Sequence, residues 1–237
     1  MKKDSEMPDL DRRSLLRAIA GAGLSMSVGG ILMLPGMAHA TTPKQGGRIR
    51  VASLSSSIAD TLDPAKGNLS TDYARHYMLY SGLTQYDESL SAQPALAESI
   101  ISDDQVVWTI KLRKGVLFHN GKSLTSADVV YSLMRHKDPS VASKMATIAE
   151  QFEDVKATGT LELIIRLTGA NADLPVVLAD SHFLIVPDGT KDFSTAVGTG
   201  PYKLKSFQPG IRTVGIRNEN YWKPGRPYLD EIELIGI

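Results

Sequence analysis

Alternation of apolar and polar residues identifies the strands of this chain, most clearly around Trp108. Trp108, Ile110 and Leu112 alternate with more polar or smaller neighbours, and a period of two suits a strand with one buried face. Near the start of the globular part, Ile49 and Val51 predict a first strand in which both face inward. The predicted strands are 45–53, 84–86, 108–112, 155–157, 161–167, 183–186, 202–207, 213–217 and 229–235.

Helical periodicity follows a capping pattern near the middle of the chain. Thr125 stands three residues before Asp128, which is the arrangement of a helix N-cap with an acid in the first turn. Apolar residues then recur at helical spacing, namely Val129, Val130, Leu133 and Met134. Gly115 and the pair Asn120-Gly121 precede the cap and predict tight turns, because glycine accepts positive φ. Further helices are predicted at 70–83, 140–151 and 173–179.

The order of these elements predicts a mixed α/β fold. Strands and helices interleave irregularly and no repeat of about 20 to 50 residues occurs, which disfavours a solenoid. The chain has 237 residues and no cysteine, so its stability has to come from burial rather than from disulfides. With 26 basic and 26 acidic residues the formal charge is zero, and we expect no nucleic-acid partner because no basic stripe is visible.

The first 40 residues have the pattern of an export signal. Arg12 and Arg13 precede an uncharged run over 18–38, and Ala38 and Ala40 offer small residues at the two positions that a signal peptidase reads. We expect cleavage after Ala40, and the paired arginines resemble a twin-arginine signal. Two alternatives stay open. One is an ordinary secretory signal that contains Arg-Arg; the other is an uncleaved membrane anchor, which the glycines of the run disfavour.

The sequence contains no complete motif for catalysis or cofactor binding. Residues 115–123 imitate a phosphate-binding loop, but five residues separate the two glycines where that motif has four, so a structural turn is the better interpretation. The five histidines form no close ligand pair, and no G-x-S-x-G sequence occurs. We therefore expect no catalytic residue, no metal site and no cofactor.

The sequence from Gly198 to Tyr202 allows two interpretations. Its glycines suit an anion-binding nest of backbone amides, or a turn at which glycine supplies positive φ and Pro201 fixes the start of the next strand. We favour the turn, which is also a candidate position for a hinge.

Six sequence motifs occur in one order over most of the chain beyond residue 40. The longest runs from Trp108 to Arg135 and combines the strand, the turns and the capped helix described above. The other five are Leu62-Asp63-Pro64, Tyr80-Ser81-Gly82-Leu83, P-A-L-A-E-S at 94–99, G-T-G-P-Y at 198–202 and N-E-N-Y-W at 218–222. Together the six resemble the extracytoplasmic solute-binding proteins of family 5, which serve peptide and nickel ABC transporters.

The resemblance implies a lobe of the periplasmic-binding-protein type II kind with an inserted α+β subdomain. After an export signal over 1–40, it assigns residues 41–88 and 197–237 to the lobe and residues 89–196 to the insertion. Because such proteins are about twice as long, judged against typical domain sizes, we expect the second lobe to be missing. A complete one-lobe protein is the alternative.

The function that the resemblance implies is capture rather than catalysis. The protein would be the substrate-binding component of an ABC importer, periplasmic and monomeric, and not an enzyme. It would clamp a peptide or similar small solute between lobes and present it to the permease in the inner membrane. The alternatives are an exported hydrolase of unrelated mechanism and a non-functional fragment.

The candidate ligand-binding residues follow the first strand: Leu54, Ser55, Ser56 and Ser57. They offer hydroxyls and backbone amides, and the loop over a strand's carboxyl end is where ligands bind in open α/β sheets. In peptide-binding relatives, the residues that anchor a ligand's charged ends lie largely on the other lobe. We therefore expect this chain alone to bind ligand weakly.

Overall fold

The computed structural model describes residues 43–237, so the predicted export signal over 1–40 lies outside the described residues. The strands of this part are β1 Arg48–Ser53, β2 Thr84–Tyr86, β3 Ala92–Pro94, β4 Ala97–Ile101, β5 Val107–Leu112, β6 Phe152–Gly159, β7 Glu162–Leu167, β8 Tyr202–Gln208, β9 Arg212–Arg217 and β10 Glu231–Gly236. Its α-helices are α1 Ser70–Leu79, α2 Ser126–Met134, α3 Ala146–Ala149 and α4 Leu174–Val177. Single 3₁₀ turns occupy Pro64–Lys66, Arg135–Lys137 and Pro139–Val141.

The first sheet joins strands from two distant parts of the chain. Its order is β1-β10-β9-β8, in which β1 runs parallel to β10 and the other pairs are antiparallel. The predicted hairpin of 202–207 and 213–217 is confirmed as β8 and β9, and the predicted last strand is confirmed as β10. Because β1 and β10 are parallel, their carboxyl ends lie at the same end of the sheet, and residues 54–57 begin there.

Ile49 and Val51 of β1 are less buried than their inward orientation predicts. Their register partners on β10 are Ile232 and Leu234, and Leu234 is only 7% exposed whereas Ile49 and Val51 are 44% and 41% exposed. The reason is position, since β1 is the edge strand and α1 packs over β8, β9 and β10. Both residues therefore lie on the same sheet face as Ile232 and Leu234, but at the edge strand this face is only partly covered.

The second sheet lies within residues 97–167 and is antiparallel throughout, in the order β4-β5-β7-β6. β5 is the strand predicted around Trp108, and its Ile110 and Leu112 are fully buried. α2 packs against β6 and β7, so Leu133 of α2 and Phe152 of β6 belong to one hydrophobic core.

The predicted cap of α2 is confirmed, and its acid does more than cap a helix. Asp128 accepts hydrogen bonds from the backbone N–H and the hydroxyl of Thr125, at 2.8 and 2.7 Å. Its other oxygen accepts from Lys122 Nζ at 2.7 Å and from the backbone N–H of Asp188 at 2.8 Å. Burial alone would raise the pKa of Asp128, but these donors outweigh burial and hold the pKa below its usual value.

Two predicted elements are wrong. Residues 140–151 form only the short helix α3 after a 3₁₀ turn, because Ala142 adopts a left-handed conformation with φ of 53° and interrupts a longer helix. Residues 183–186 are buried but join no sheet. Their amides bond elsewhere: Ile185 N–H donates to the Ser81 carbonyl at 3.0 Å, and Val186 N–H donates to Ser132 Oγ at 2.9 Å.

The predicted helix over 70–83 ends earlier, at Leu79, because a distant loop caps it. The N–H of Gly200 donates to the Leu79 carbonyl at 3.1 Å. A Cβ on Gly198 would lie 2.1 Å from that carbonyl oxygen, and one on Gly200 would lie 2.6 Å from it. Neither glycine has positive φ, so the turn interpretation gave the wrong reason for them. They are required by the close approach of two backbones.

The sequence pattern does not predict β3 or β4. β3 has three residues, pairs only with β2, and ends in Pro94. β4 places the polar residues Glu98 and Ser99 side by side, with a register shift between Ala97 and Ser99, which breaks the period of two expected for a regular strand.

Candidate functional site

The candidate loop, residues 54–57, lies where the first strand ends and is open to solvent. Leu54 is 85% exposed, and Ile58 just after the loop is 92% exposed. The three serines between them are half-buried. An aliphatic side chain this exposed contributes nothing to the core, so the loop presents apolar surface together with hydroxyl groups.

Hydrogen bonds within and around the loop fix its backbone. The N–H of Ser57 donates to Asp60 Oδ1 at 3.0 Å, and Ser57 Oγ accepts the N–H of Ala59 at 3.1 Å. Ser70 at the start of α1 donates its hydroxyl to Ser55 Oγ at 2.9 Å. The loop is therefore preorganised, which lowers the entropy that a ligand would have to remove on binding.

Arg75 of α1 anchors this arrangement from inside the protein. Its side chain is only 2% exposed, and its Nη2 donates to Asp60 Oδ2 at 2.9 Å while its Nη1 donates to Asp72 Oδ1 at 2.6 Å. Its Nε donates to Thr213 Oγ1 of β9 at 2.7 Å. Asp60 thus joins the loop backbone to a buried cation that is also bonded to the sheet.

Two glycines allow the loop to lie against the end of the sheet. A Cβ on Gly236 of β10 would lie 2.5 Å from the Ser56 Cβ, and one on Gly210 would lie 3.1 Å from the carbonyl carbon of Ser57. Ile211 and Ile237, next to these glycines, are 59% and 71% exposed. Leu54, Ile58, Ile211 and Ile237 are called the apolar rim below.

A groove of about 600 Å³ begins at Asp60 and extends beside β8. Thr61, Phe193, Ser194 and Phe207 line much of it. Its size lies within the range of small-molecule sites. The groove and the loop share the Asp60 segment, so the carboxyl end of the sheet offers a mixed surface of hydroxyls, amides and aromatic rings.

Three of the described histidines are hydrogen-bonded within the fold; His76 and His182 are buried, and His119 is half-buried. His76 Nε2 lies 3.1 Å from the Thr61 carbonyl oxygen, and burial lowers its pKa to about 4. His182 lies between Asp180 Oδ1, at 2.6 Å, and the Gly67 carbonyl oxygen, at 2.9 Å. His119 Nε2 lies 3.1 Å from the Gly200 carbonyl oxygen, so it supports the loop that caps α1.

The remaining described histidine makes a serine contact that the sequence does not reveal. Ser143 Oγ lies 2.6 Å from His136 Nδ1 and also accepts the N–H of Met145 at 3.0 Å, just before α3. Burial lowers the pKa of His136 to about 4, and an imidazole of that basicity is a weak general base near neutral pH. The pair fits a structural cap better than a nucleophile with its base.

Two further properties concern the described residues 43–237 only. No group of three or more His, Cys, Asp or Glu side chains there is arranged to hold a metal ion. No helix there has both the length and the apolar character that a membrane crossing requires.

A mixed sheet with a preorganised, open loop at the carboxyl end of its parallel strands is typical of α/β ligand-binding folds. The chain belongs to the bacterial extracellular solute-binding proteins of family 5: the family model, which describes their middle region, matches residues 91–237. The resemblance stated from the six motifs is confirmed, as is the mixed α/β fold class.

Similar proteins bind peptides and other small solutes. Oligopeptide-binding protein AppA of Bacillus subtilis (strain 168) is 30% identical over 203 residues, which is 80% of this chain and 37% of AppA. Glutathione-binding protein GsiB of Escherichia coli (strain K12) is 29% identical over 179 residues, 73% of this chain and 35% of GsiB. The chain thus spans little more than a third of the length of these curated relatives.

Solved structures agree with this assignment. AppA from Bacillus subtilis in complex with a nonapeptide has a TM-score of 0.72 at 29% identity, covering 83% of this chain and 41% of that chain. A nickel ABC transporter structure from Bacillus halodurans has a TM-score of 0.68 at 30% identity, covering 82% and 39%. The assignment of residues 54–57 to ligand binding stays a prediction.

Proposed function

We propose that this chain is part of the substrate-binding component of an ABC importer and captures a peptide or a similar small solute without chemical change. The observation that carries the proposal is the preorganised loop 54–57, open to solvent at the carboxyl end of the sheet in a chain of this family. Its partners would be the solute and an inner-membrane permease, and the protein would act as a monomer without nucleic acid.

Capture requires contacts that form only when the protein closes over its ligand. The apolar rim supplies such contacts, since fully burying one Leu or Ile side chain stabilises the closed state by about 1.5–3 kcal/mol. The serine hydroxyls and loop amides supply hydrogen bonds for the backbone of a peptide. The opposing surface would belong to the part of the relatives' length that this chain does not match.

The lobe assignment is part of the same proposal. Residues 41–88 and 197–237 would form the ligand-facing lobe, and residues 89–196 its insertion. In support, the first sheet uses only strands within 48–53 and 202–236, whereas the second sheet uses only strands within 97–167. Both segments of the proposed lobe then contribute strands to one sheet, and residues 54–57 follow the first of these strands.

An NMR titration of the ¹⁵N-labelled chain with tri-alanine, and separately with glutathione, tests the function. We expect weak binding in the millimolar range, with the largest amide shifts at residues 54–58. A Ser55→Ala, Ser56→Ala double variant should reduce these shifts, and the matched control Ser140→Ala, on an exposed turn, should leave them unchanged. Shifts that avoid 54–58 in every titration would contradict the proposal.

The same peptide samples test capture against catalysis. After incubation with the chain, mass spectrometry should recover tri-alanine and glutathione intact. Cleavage that persists after purification and disappears in a Ser143→Ala variant would instead assign hydrolysis to the Ser143–His136 pair.

Export is proposed from residues 1–40. N-terminal sequencing of the exported protein should begin at Thr41. Substituting Arg12→Lys and Arg13→Lys together should block export if the twin-arginine pathway is used, whereas the matched substitution Arg17→Lys should not. Met1 or Lys2 at the terminus of a soluble exported species would remove the signal assignment.

A further inference from the structure

The segment between β9 and β10 forms one wall of a second pocket, far from the candidate loop. The pocket has a volume of about 450 Å³ and is lined mainly by Tyr202, Tyr221, Lys223, Arg226, Pro227 and Tyr228. It lies near the first residues of β10, whereas residues 54–57 lie past the last ones. Six strand residues at about 3.3 Å each separate the two sites by roughly 20 Å.

Two cations, Lys223 and Arg226, line this pocket, and one turn links their backbones. Arg226 donates its N–H to the Lys223 carbonyl at 3.2 Å, and Gly225 supplies the required positive φ of 72°. Lys223 Nζ donates to Gln85 Oε1 at 2.5 Å. The Arg226 guanidinium carbon lies 4.5 Å from the centroid of the Tyr228 ring. Both charged groups are thus held in place by neutral partners.

A third cation, Arg113, lies near Lys223 but lines a different groove. Arg113 lies 5.3 Å and Lys223 lies 4.9 Å from the centroid of the same ring, Trp222. Within residues 43–237, no carboxylate forms an ion pair with Arg113, Lys223 or Arg226. The carboxylate of Asp230, close in sequence, is already bonded to Arg217.

The positive charges also act on each other. Burial lowers the pKa of Lys223, and the neighbouring charges of Arg226 and Arg113 lower it further. Such an arrangement is unfavourable in the absence of a negative partner, and an anion placed between the cations would stabilise it.

We propose that this cationic pocket binds a small organic anion with a flat ring, and that Lys223 and Arg226 hold its charged group. Arginine and lysine together suit a carboxylate or a phosphate, because the guanidinium offers two parallel donors and the ammonium a point charge. Tyr221, Tyr228 and Pro227 supply flat apolar walls for the ring. The pocket volume lies within the range for such ligands. This site is separate from solute capture at residues 54–57.

Isothermal titration calorimetry of the full chain with phenyl phosphate tests the proposal. We expect saturable binding that weakens about tenfold, equivalent to about 1.4 kcal/mol, in each of Arg226→Gln and Lys223→Met. The matched control Arg166→Gln removes an exposed arginine of β7 and should bind as the unchanged chain does. Inorganic phosphate should bind more weakly because it lacks the ring, and benzoate will show whether a carboxylate is accepted.

Neutral phenol provides a test that needs no variant. It should bind at least tenfold more weakly than phenyl phosphate, and added salt should weaken the binding of phenyl phosphate alone. Equal affinity for phenol and phenyl phosphate would overturn the proposal even if the variants fail to fold. Equal affinity of Arg226→Gln, Lys223→Met and the unchanged chain, with all three folded by circular dichroism, would overturn it as well.

Discussion

Replacing Arg75 by alanine should destabilise this protein more than the loss of any surface ion pair. The guanidinium makes hydrogen bonds of 2.6 and 2.9 Å to Asp72 and Asp60, whose side chains are 3% and 1% exposed. Alanine would leave both carboxylates buried without their cation. Two hydrogen bonds to charged groups contribute about 1.5–3 kcal/mol each, and breaking a buried ion pair costs about 3–5 kcal/mol. We expect a loss of about 4 kcal/mol.

Urea denaturation followed by circular dichroism measures this loss as a lower midpoint at constant slope. Arg50→Ala is the matched control, because Arg50 pairs with Glu233 at 2.7 Å but its side chain is 61% exposed; it should cost at most about 1 kcal/mol. If Arg75→Ala costs no more than Arg50→Ala, the buried network does not anchor the loop at Asp60, and residues 54–57 are not held in a preorganised state.

Two further predictions concern packing and pH. Gly200→Ala should lower the urea midpoint by an amount equivalent to about 2–3 kcal/mol, because its Cβ would lie 2.4 Å from the Leu79 carbonyl carbon. Gly169→Ala is the control, since the space around Gly169 is open. Equal midpoints for the two variants would refute the close approach of the two backbones at Gly200. His76 and His136 have pKa values of about 4 because they are buried, against 6.5 in the unfolded chain. As the pH is lowered from 6.5 to 4, the unfolded state therefore binds protons before the folded state does, and the stability of the protein should fall. The fall should be shallower in a His76→Gln, His136→Gln variant. Thermal midpoints with the same pH dependence in both proteins would contradict this prediction.

Local sequence patterns were sufficient to predict those elements whose structure is determined by neighbouring residues. The cap from Thr125 to Asp128 and the turn at Gly121, with φ of 85°, depend on residues a few positions apart. The β8–β9 hairpin is equally local, turning at Gly210 with φ of 73°. In each case the residue that caps the helix or allows the turn is part of the local sequence motif.

Features decided by distant contacts were not predictable in the same way. The end of α1 depends on Gly200, which lies more than a hundred residues further along the chain. Ile49 and Val51 are exposed because of the place of β1 in the sheet order, which no local pattern states. Residues 183–186 are an apolar run that predicts a strand, but the amides of Ile185 and Val186 bond to Ser81 and Ser132 rather than to a sheet.

For the candidate site, the sequence suggested the loop, whose role stays a prediction, but gave no sign of the residues that support it. Position after a first strand was enough to select Leu54 to Ser57. The buried Arg75 carries no signal of its role, since an arginine inside an amphipathic helix usually faces solvent. Gly236 stands in an apolar run, and its contact with Ser56 becomes visible only when β1 and β10 are paired in parallel.

Photo-crosslinking tests the central claim, that residues 54–57 face a captured solute, most directly. The full chain is irradiated with a tripeptide that carries benzoylphenylalanine between two alanines, and the adducts are mapped by mass spectrometry after digestion. We predict adducts on residues 54–58 and on Ile211, reduced by excess tri-alanine. Adducts that excess tri-alanine does not reduce, or that lie only outside the apolar rim and residues 54–57, would contradict the account.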